Sequence, residues 1–243
     1  SDFLFVAFDQ VINQAANVRY LSRGTTTAPL VIRMQQGITP GSCAQHSQSI
    51  EALLAHIPGL KVGMPSTPQD AYSMLRAAIA DPDPVVIIES RALYQDTGAV
   101  DLDAEIEFVG GARLRRPGTD VLIVTWGGIT KLALQAAESL VALYVDAAVL
   151  ELRWLNPLDE PALAEAVAAA GGKVLIVHEA NVSGGFGAEV SARLAENHLD
   201  LIDGPIRRIG LPDVRVPASP GLQAALLPTV ETIAAAARSL AEH

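Results

Sequence analysis

A short polar stretch, Gln45-His46-Ser47-Gln48, carries the side chains best suited to proton chemistry in this sequence. It follows a loop containing glycine and proline, residues 37–41, and precedes an apolar segment with helical spacing. His46 therefore lies at a predicted loop-to-helix junction, where a side chain is held in place and can still face a cleft. Because imidazole exchanges protons near neutral pH, His46 is the leading candidate for a catalytic residue. The competing interpretation is a histidine at a helix start that only bonds to nearby backbone.

Two other motifs carry weaker chemical signals. Cys43, three residues before His46, could act as a thiol nucleophile, although cysteine is more often a small buried residue. The run Gly184-Gly185-Phe186-Gly187 follows a predicted strand and opens a predicted helix, so its amides could bind an anion. Close packing of the helix on the sheet is the favoured role, because a dinucleotide fingerprint would need glycine where Val190 stands. The histidines are scattered without the spacing of metal ligands.

Composition limits the classes of protein to be considered. Half of the 243 residues are hydrophobic and 18% are charged, which is typical of a globular chain with a large core. The net charge of −10 argues against a nucleic-acid partner, since phosphate binding needs a basic surface. No apolar run approaches the ~20 residues of a membrane span, so no membrane partner is expected. A single cysteine and the lack of a visible signal peptide favour a reducing, cytoplasmic location.

Apolar runs alternate with segments of helical periodicity along the whole chain, which predicts an α/β fold with two open, mostly parallel sheets and flanking helices. Thr67 and Pro68 predict one helix start, and Ser47 or Ser49 is expected to cap the helix after His46. The predicted strands are 29–33, 60–64, 84–89, 120–124, 147–152, 173–178 and 206–209, and the predicted helices are 5–24, 50–57, 70–80, 130–144, 160–170, 188–196 and 229–241.

A segment rich in glycine and proline and without clear periodicity divides the chain. It predicts a first domain over residues 1–100, a linker over 101–118 and a second domain over 119–243. The first domain shows only three strands, fewer than an average sheet contains. We therefore expect this domain to be truncated, with residues missing ahead of Ser1.

Several strings spread over the chain resemble the β subunit of the decarboxylating component of 2-oxo-acid dehydrogenases. This family includes the pyruvate, branched-chain 2-oxo-acid and acetoin dehydrogenases and is similar to transketolase in fold. The resemblance implies a truncated domain of the type that binds the pyrimidine of thiamine diphosphate, followed by a domain similar to the transketolase C-terminal domain. The strings include Phe3-Leu4-Phe5-Val6-Ala7-Phe8-Asp9-Gln10, Gln45-His46-Ser47-Gln48-Ser49-Ile50-Glu51, His56-Ile57-Pro58-Gly59-Leu60-Lys61-Val62, His178-Glu179-Ala180 and Gly184-Gly185-Phe186-Gly187-Ala188-Glu189.

The resemblance also implies a site. Thiamine diphosphate would bind between this chain and an α subunit, or the α half of a fused chain, which would carry the diphosphate and magnesium motif. Phe3 matches the aromatic residue that packs against the aminopyrimidine ring. His46 matches the histidine near the thiazolium, which would steer protons as a 2-oxo acid adds and the acyl group leaves for lipoyl. Gln45, assigned to cofactor binding, and Ser47 would hold the imidazole in position.

Further implications concern a metal ion and partners. The residues Leu30, Ala78, Asp81 and Asp83 match positions whose carbonyl oxygens hold a structural potassium ion in some members of the family. The second domain would support pairing with the β subunit of a second protomer, giving an α2β2 assembly. It would also dock to the lipoyl acyltransferase core.

One departure from the family pattern affects activity. The glutamate that activates thiamine would lie ahead of the region matching Phe3, and it has no counterpart in this sequence. We therefore expect no 2-oxo-acid decarboxylation by this polypeptide alone. An assembly module without catalysis and a transketolase-like sugar enzyme are the alternatives. The sequence leaves open which 2-oxo acid is used and whether the α part is a separate chain.

Overall fold

Runs of buried aliphatic residues form the central strands of two open sheets in the computed structural model, which describes residues 1–243. The strands are β1 Val31–Gln36, β2 Lys61–Gly63, β3 Val85–Ser90, β4 Arg113–Arg116, β5 Val121–Thr125, β6 Ala147–Glu151, β7 Trp154–Asn156, β8 Val174–Asn181 and β9 Arg207–Leu211. The α-helices are α1 Val18–Leu21, α2 Glu51–Ala55, α3 Pro68–Ala80, α4 Thr130–Leu140, α5 Glu160–Ala169, α6 Phe186–Asn197, α7 Pro220–Ala224 and α8 Val230–Ala241. None of them is long and apolar enough to cross a membrane.

Both sheets are mostly parallel. The first has the strand order β1-β3-β2-β7, in which β1, β3 and β2 are parallel and β7 is antiparallel. The second has the order β4-β6-β5-β8-β9, in which only β4 is antiparallel. Central strands such as β5, in which every residue is buried, need apolar side chains on both faces because helices cover both sides. The predicted fold class is confirmed.

Helix starts follow the chemistry read from the sequence. The Thr67 hydroxyl accepts the Asp70 N–H at 3.1 Å, and Pro68 occupies the first helical position of α3. Asp159 caps α5 in the same way through the Ala162 N–H at 3.1 Å. These caps satisfy backbone donors that have no partner inside the helix.

The opening segment differs from the prediction of one continuous helix. It consists of a 3₁₀ turn at Leu4–Ala7, a π-helical turn at Gln10–Gln14, a second 3₁₀ turn at Ala15–Asn17 and the short α1. The Asn17 side-chain amide donates to the carbonyl oxygens of Ile12 and Asn13, each at 3.2 Å. Such side-chain bonds compete with the regular helical ladder and favour irregular turns.

Two strands escaped the prediction. β4 lies inside the segment predicted as a linker and pairs with β6, and its sequence of mostly arginine residues gives no apolar signal. β7 is only three residues long and follows Arg153, whose φ of 55° turns the chain sharply. Although β7 belongs to the second half of the chain, it pairs with β2 of the first sheet. The division into 1–100, 101–118 and 119–243 remains a prediction.

A single apolar cluster joins the two sheets. It contains Leu54 and Ile88 from the first half of the chain together with Trp126, Ile176 and Phe186 from the second half, all buried. Burial of apolar side chains is the main favourable contribution to the free energy of folding. The two halves therefore share one core and hold each other in a fixed arrangement.

A buried ionic cluster covers the same junction. Asp70 at the start of α3 is fully buried, and three arginine side chains surround its carboxylate. Arg113 and Arg115 belong to β4, and Arg153 precedes β7. Their ion pairs therefore connect the segment 101–118 with α3 and with the chain around β7. The cluster consists of Asp70, Glu107, Arg113, Arg115, Glu151 and Arg153.

Candidate functional site

The carboxyl ends of β1 and β3 carry the loop on which His46 lies. After Gln36 the chain turns outward, and a 3₁₀ turn at Ala44–His46 brings the histidine to the surface. The hydroxyl groups of Ser42 and Ser47 lie 2.6 Å apart and fasten the loop to itself. In open α/β sheets, this carboxyl edge is the usual position of a ligand site.

The helix after His46 begins differently from the prediction. Neither Ser47 nor Ser49 caps it, because α2 starts at Glu51 and Ile50 occupies the cap position without a side-chain cap bond. The Ile50 N–H is instead accepted by the side-chain oxygen of Gln36 at 3.0 Å. The expectation of a serine cap is therefore wrong, since the Ser47 hydroxyl is already used within the loop.

Phe3 and His46 lie side by side on the wall of an open cleft. Their ring centroids are 5.6 Å apart with the planes tilted by 48°. The Phe3 residue is 75% exposed and the His46 side chain is 49% exposed, so both rings are available to a ligand. The cleft has a volume of about 410 Å³ and is also lined by Asp2, Gln35 and Arg91.

Two charged residues at this site were not found by sequence reasoning. The Asp2 carboxylate lies 4.0 Å from His46 Nδ1 and 2.9 Å from the Arg91 guanidinium. Arg91 also donates to the backbone carbonyl oxygen of His46 at 2.6 Å. A signal was available for Arg91, because it directly follows β3, whose first four residues are apolar, at the edge where site residues gather. Asp2 carried no pattern of its own.

Gln45 and Ser47 do not hold the imidazole. Gln45 is exposed, and its side-chain oxygen accepts the Cys43 thiol at 3.1 Å. Ser47 is buried beneath the loop and bonded to Ser42. The predicted positioning role of these two side chains is therefore wrong: one faces solvent and the other faces the loop interior. Contact of Gln45 with a cofactor remains a prediction.

The residues expected to bind potassium gather at the opposite edge of the first sheet. Leu30 precedes β1, and Ala78 lies in the last turn of α3. Asp81 and Asp83 lie in the connection from α3 to β3. The chain's own cations already contact the side chains: the Lys61 ammonium lies 2.6 Å from Asp81 and 3.6 Å from Asp83. The carbonyl oxygen of Leu30 accepts the Val85 N–H at 2.9 Å. Potassium binding by the four carbonyl oxygens remains a prediction.

Two neighbouring carboxyl groups lie behind the loop, Glu51 fully buried and Glu179 half-buried. Glu51 accepts a hydrogen bond from the Gln36 side-chain amide at 2.8 Å, and burial raises its pKa. Glu179 on β8 lies beside Gly37 and Gly128, and its pKa is raised to about 7, first by burial and then by the charge of Glu51. The motif His178-Glu179-Ala180 contains this second carboxyl group, but nothing in the sequence pattern shows that it meets Glu51.

The glycine motif that opens α6 serves packing. A Cβ atom on Gly185 or Gly187 would lie 2.8 Å or 2.7 Å from the ring of His178. That imidazole is fully buried, stacks on Trp126 with centroids 5.2 Å apart, and bonds through Nδ1 to the Ala180 carbonyl oxygen at 3.1 Å. Burial lowers the pKa of His178 to about 4, so the ring is neutral at physiological pH. The interpretation as close helix-to-sheet packing is therefore supported.

Comparisons with known families cover nearly the whole chain. Residues 1–97 match the transketolase pyrimidine binding domain, and residues 110–233 match the transketolase C-terminal domain. Phe3 and His46 both lie in the first match, whereas Glu179 and the glycine motif lie in the second.

Curated relatives are similar over almost all of the chain. The 2-oxoisovalerate dehydrogenase subunit beta of Bacillus subtilis (strain 168) is 39% identical over 100% of this chain and 74% of the relative. The acetoin:2,6-dichlorophenolindophenol oxidoreductase subunit beta of Cupriavidus necator is 40% identical over 98% of this chain and 70% of the relative. The pyruvate dehydrogenase E1 component subunit beta of Rhizobium meliloti is 37% identical over 98% of this chain and 52% of the relative.

A solved structure supports the fold. A chain described as split gene transketolase, inactive beta4 tetramer, has a TM-score of 0.74 and covers 97% of this chain and 74% of its own length. Its sequence identity is 24%, so the likeness concerns the fold alone.

Proposed function

The chain belongs to the β subunits of 2-oxo-acid dehydrogenase E1 components, which combine transketolase pyrimidine-binding and C-terminal domains, and we propose that it forms one wall of a thiamine-diphosphate site. In this proposal the complex decarboxylates a 2-oxo acid oxidatively and passes the acyl group to lipoyl. The observation that carries the proposal is the exposed pair of rings, Phe3 and His46, 5.6 Å apart on the wall of an open cleft.

The residues of this cleft fit one end of the cofactor. Phe3 offers an aromatic face that no other side chain covers fully, as packing against a heterocycle requires. A diphosphate, in contrast, needs free cations, and the guanidinium of Arg91 is already paired with Asp2. We therefore assign the aminopyrimidine end to this chain and the diphosphate with its magnesium to an α partner.

His46 is the residue proposed to move protons. Its Nε2 makes no hydrogen bond within the chain, while Nδ1 faces the Asp2 carboxylate at 4.0 Å. A free ring nitrogen on an exposed imidazole can accept or return a proton to a reacting group in the cleft. Thiamine diphosphate, when bound, supplies the carbon nucleophile and the electron sink that decarboxylation needs.

The proposal includes partners and a division of labour. An α subunit, or the α half of a fused chain, contacts this chain at the cleft and completes the cofactor site. This chain also pairs with the β subunit of a second protomer, which gives an α2β2 assembly. The domain over residues 119–243 supports that pairing and docking to a lipoyl acyltransferase core. A potassium ion held by the carbonyl oxygens of Leu30, Ala78, Asp81 and Asp83 stabilises the far edge of the first sheet.

Replacement of His46 by alanine tests the function in a complex reconstituted from the α partner and a β chain that also supplies the cofactor-activating glutamate expected ahead of Phe3. We expect a loss of 2-oxo-acid turnover of about a hundredfold or more, with assembly unchanged by sedimentation. Phe8, half-buried and away from the cleft, offers a matched control as Phe8→Leu. Unchanged turnover in the His46→Ala complex would leave only an assembly role. Turnover of a ketose phosphate in place of a 2-oxo acid would indicate a transketolase-like enzyme.

A further inference from the structure

The guanidinium of Arg91 joins three separate segments of chain around the cleft. It donates to the Asp2 carboxylate at 2.9 Å, to the Gly37 carbonyl oxygen at 2.9 Å and to the His46 carbonyl oxygen at 2.6 Å. A fourth bond, at 3.2 Å, reaches the side-chain oxygen of Gln35 on β1. The residue therefore contacts the segment before Phe3, the end of β1 and the loop that carries His46.

These bonds leave Arg91 little capacity for a ligand. Arginine has five N–H donors, and four of them are used within the chain. The side chains of Arg91 and Asp2 are only 16% and 5% exposed, and each neutralises the other. A guanidinium in this state is a poor site for a substrate carboxylate, so its contribution must come through the backbone it holds.

The bonds have a direct geometric consequence for the two rings. Asp2 is adjacent to Phe3, and the bonded carbonyl group belongs to His46 itself. We propose that Arg91 is a positioning residue that fixes the separation of Phe3 and His46 by fastening both segments to the end of β3. This inference deepens the proposed function and rests on it only for its effect on catalysis.

The geometry requires a guanidinium. A planar fork reaches several acceptors at once in fixed directions, whereas an ammonium group is a compact point charge on a flexible stem. Lysine at position 91 would keep the charge and the pair with Asp2 while losing some of the carbonyl contacts. If Arg91→Lys has an effect between those of the wild type and Arg91→Ala, the hydrogen bonds of the guanidinium contribute beyond its positive charge.

The first test measures amide hydrogen exchange of the loop over residues 38–47 in the isolated chain. Arg91→Ala should speed exchange there by about ten- to a hundredfold, because charge-assisted bonds to two carbonyl groups are lost. Arg91→Lys should give a smaller change, and guanidinium ion, at concentrations too low to unfold proteins, should restore protection in Arg91→Ala. Arg33→Ala is the matched control, since Arg33 pairs with Glu89 at 2.7 Å across the same two strands without touching the loop.

The second test follows the contact between the rings. At a centroid distance of 5.6 Å the Phe3 ring should shift the proton resonance of the His46 ring, and Phe3→Leu should give the unshifted reference. Arg91→Lys should move the His46 resonance toward that reference, while Arg33→Ala should leave it in place. If Arg91→Ala does not fold, the milder Arg91→Lys still decides the question.

The outcomes separate the positioning role from the proposed function. Unchanged loop exchange and an unchanged His46 resonance overturn the role of Arg91, whatever the activity. In the reconstituted complex, Arg91→Lys should lower kcat for the 2-oxo acid by about tenfold or more with a smaller change in KM. A loosened loop combined with a wild-type complex that turns over no 2-oxo acid would support the positioning role and contradict the proposed function.

Discussion

Glu179 on β8 and Glu51 on α2 interact across the junction of the two sheets, and no cation pairs with either carboxyl group. Glu51 has donors around it, namely its own backbone N–H, the Gln36 amide and the Trp126 ring N–H. The causes acting on Glu179 are burial and the charge of Glu51, which together raise its pKa to about 7. Glu179 therefore takes up a proton around pH 7, where an ordinary carboxyl group is ionised.

This pair predicts a pH dependence of stability. The folded pKa of Glu179, about 7, lies above its ordinary value of 4.5, so the folded state binds the proton more tightly than the unfolded state. Its favourable contribution is complete below the unfolded pKa and is lost as pH rises through the folded pKa. We expect the melting temperature to fall between about pH 5 and about pH 8, and Glu179→Gln to reduce that fall.

The exposed, unpaired carboxylate of Glu165 on α5 provides the control for this prediction. Glu165→Gln removes a titratable carboxyl group by the same substitution and should leave the slope of melting temperature against pH as in the wild type. Equal slopes for the wild type and Glu179→Gln would mean that Glu179 is ionised and solvated in the folded chain.

The close approach of Gly185 and Gly187 to the His178 ring gives a prediction about packing. A methyl group at Gly187 would lie 2.7 Å from the imidazole, whose movement is restricted because the ring is fully buried and stacked on Trp126. Gly187→Ala should therefore lower the free energy of unfolding by about 1–3 kcal/mol, measured by urea denaturation. Gly221→Ala, where no atom lies within 4 Å, should be neutral or slightly stabilising. Equal effects of the two substitutions would contradict close packing of Gly187 against the His178 ring.

Much of the fold could be predicted because its physical causes are local. Buried runs such as Val121–Thr125 and caps such as Thr67 appear in the sequence as apolar blocks and turn residues. Short, charged or edge strands do not: the segment Arg113–Arg116 has no apolar run, and its arginine side chains meet Asp70 and Glu151, which are distant in sequence. The opening helix was expected to be continuous because its apolar spacing is helical, and the bonds from the Asn17 amide to Ile12 and Asn13 do not appear in that spacing.

The candidate site was only partly predictable for a related reason. His46 and Phe3 were found through a family resemblance, and the structure places them in one cleft. Arg91 lies 45 residues from His46 along the chain, and its role depends on which carbonyl groups meet at the end of β3. Ser47 was misassigned because a hydroxyl group can bond to several neighbours, and spacing alone does not choose among them.

The ionic cluster at the junction gives a prediction about buried charge. Asp70 is fully buried, and Arg113, Arg115 and Arg153 all pair with its carboxylate. Asp70→Asn leaves these cations without their central partner, so it should cost about 3–5 kcal/mol of unfolding free energy. The exposed pair of Asp96 with Lys131 is the matched comparison, and breaking it by Asp96→Asn should cost less than about 1 kcal/mol.

The proposed potassium site can be tested without changing its ligands, since they are backbone carbonyl groups. Lys61 neutralises Asp81 from 2.6 Å, so the carbonyl oxygens rather than the carboxylates remain for an added ion. Potassium bound only to the folded chain should raise the melting temperature above that in tetramethylammonium chloride of equal ionic strength, by about 2–4 °C for each ~1 kcal/mol of binding. Sodium should act less, because it holds its hydration shell more tightly and the carbonyl oxygens must replace that shell. Equal melting temperatures in all three salts would contradict the site.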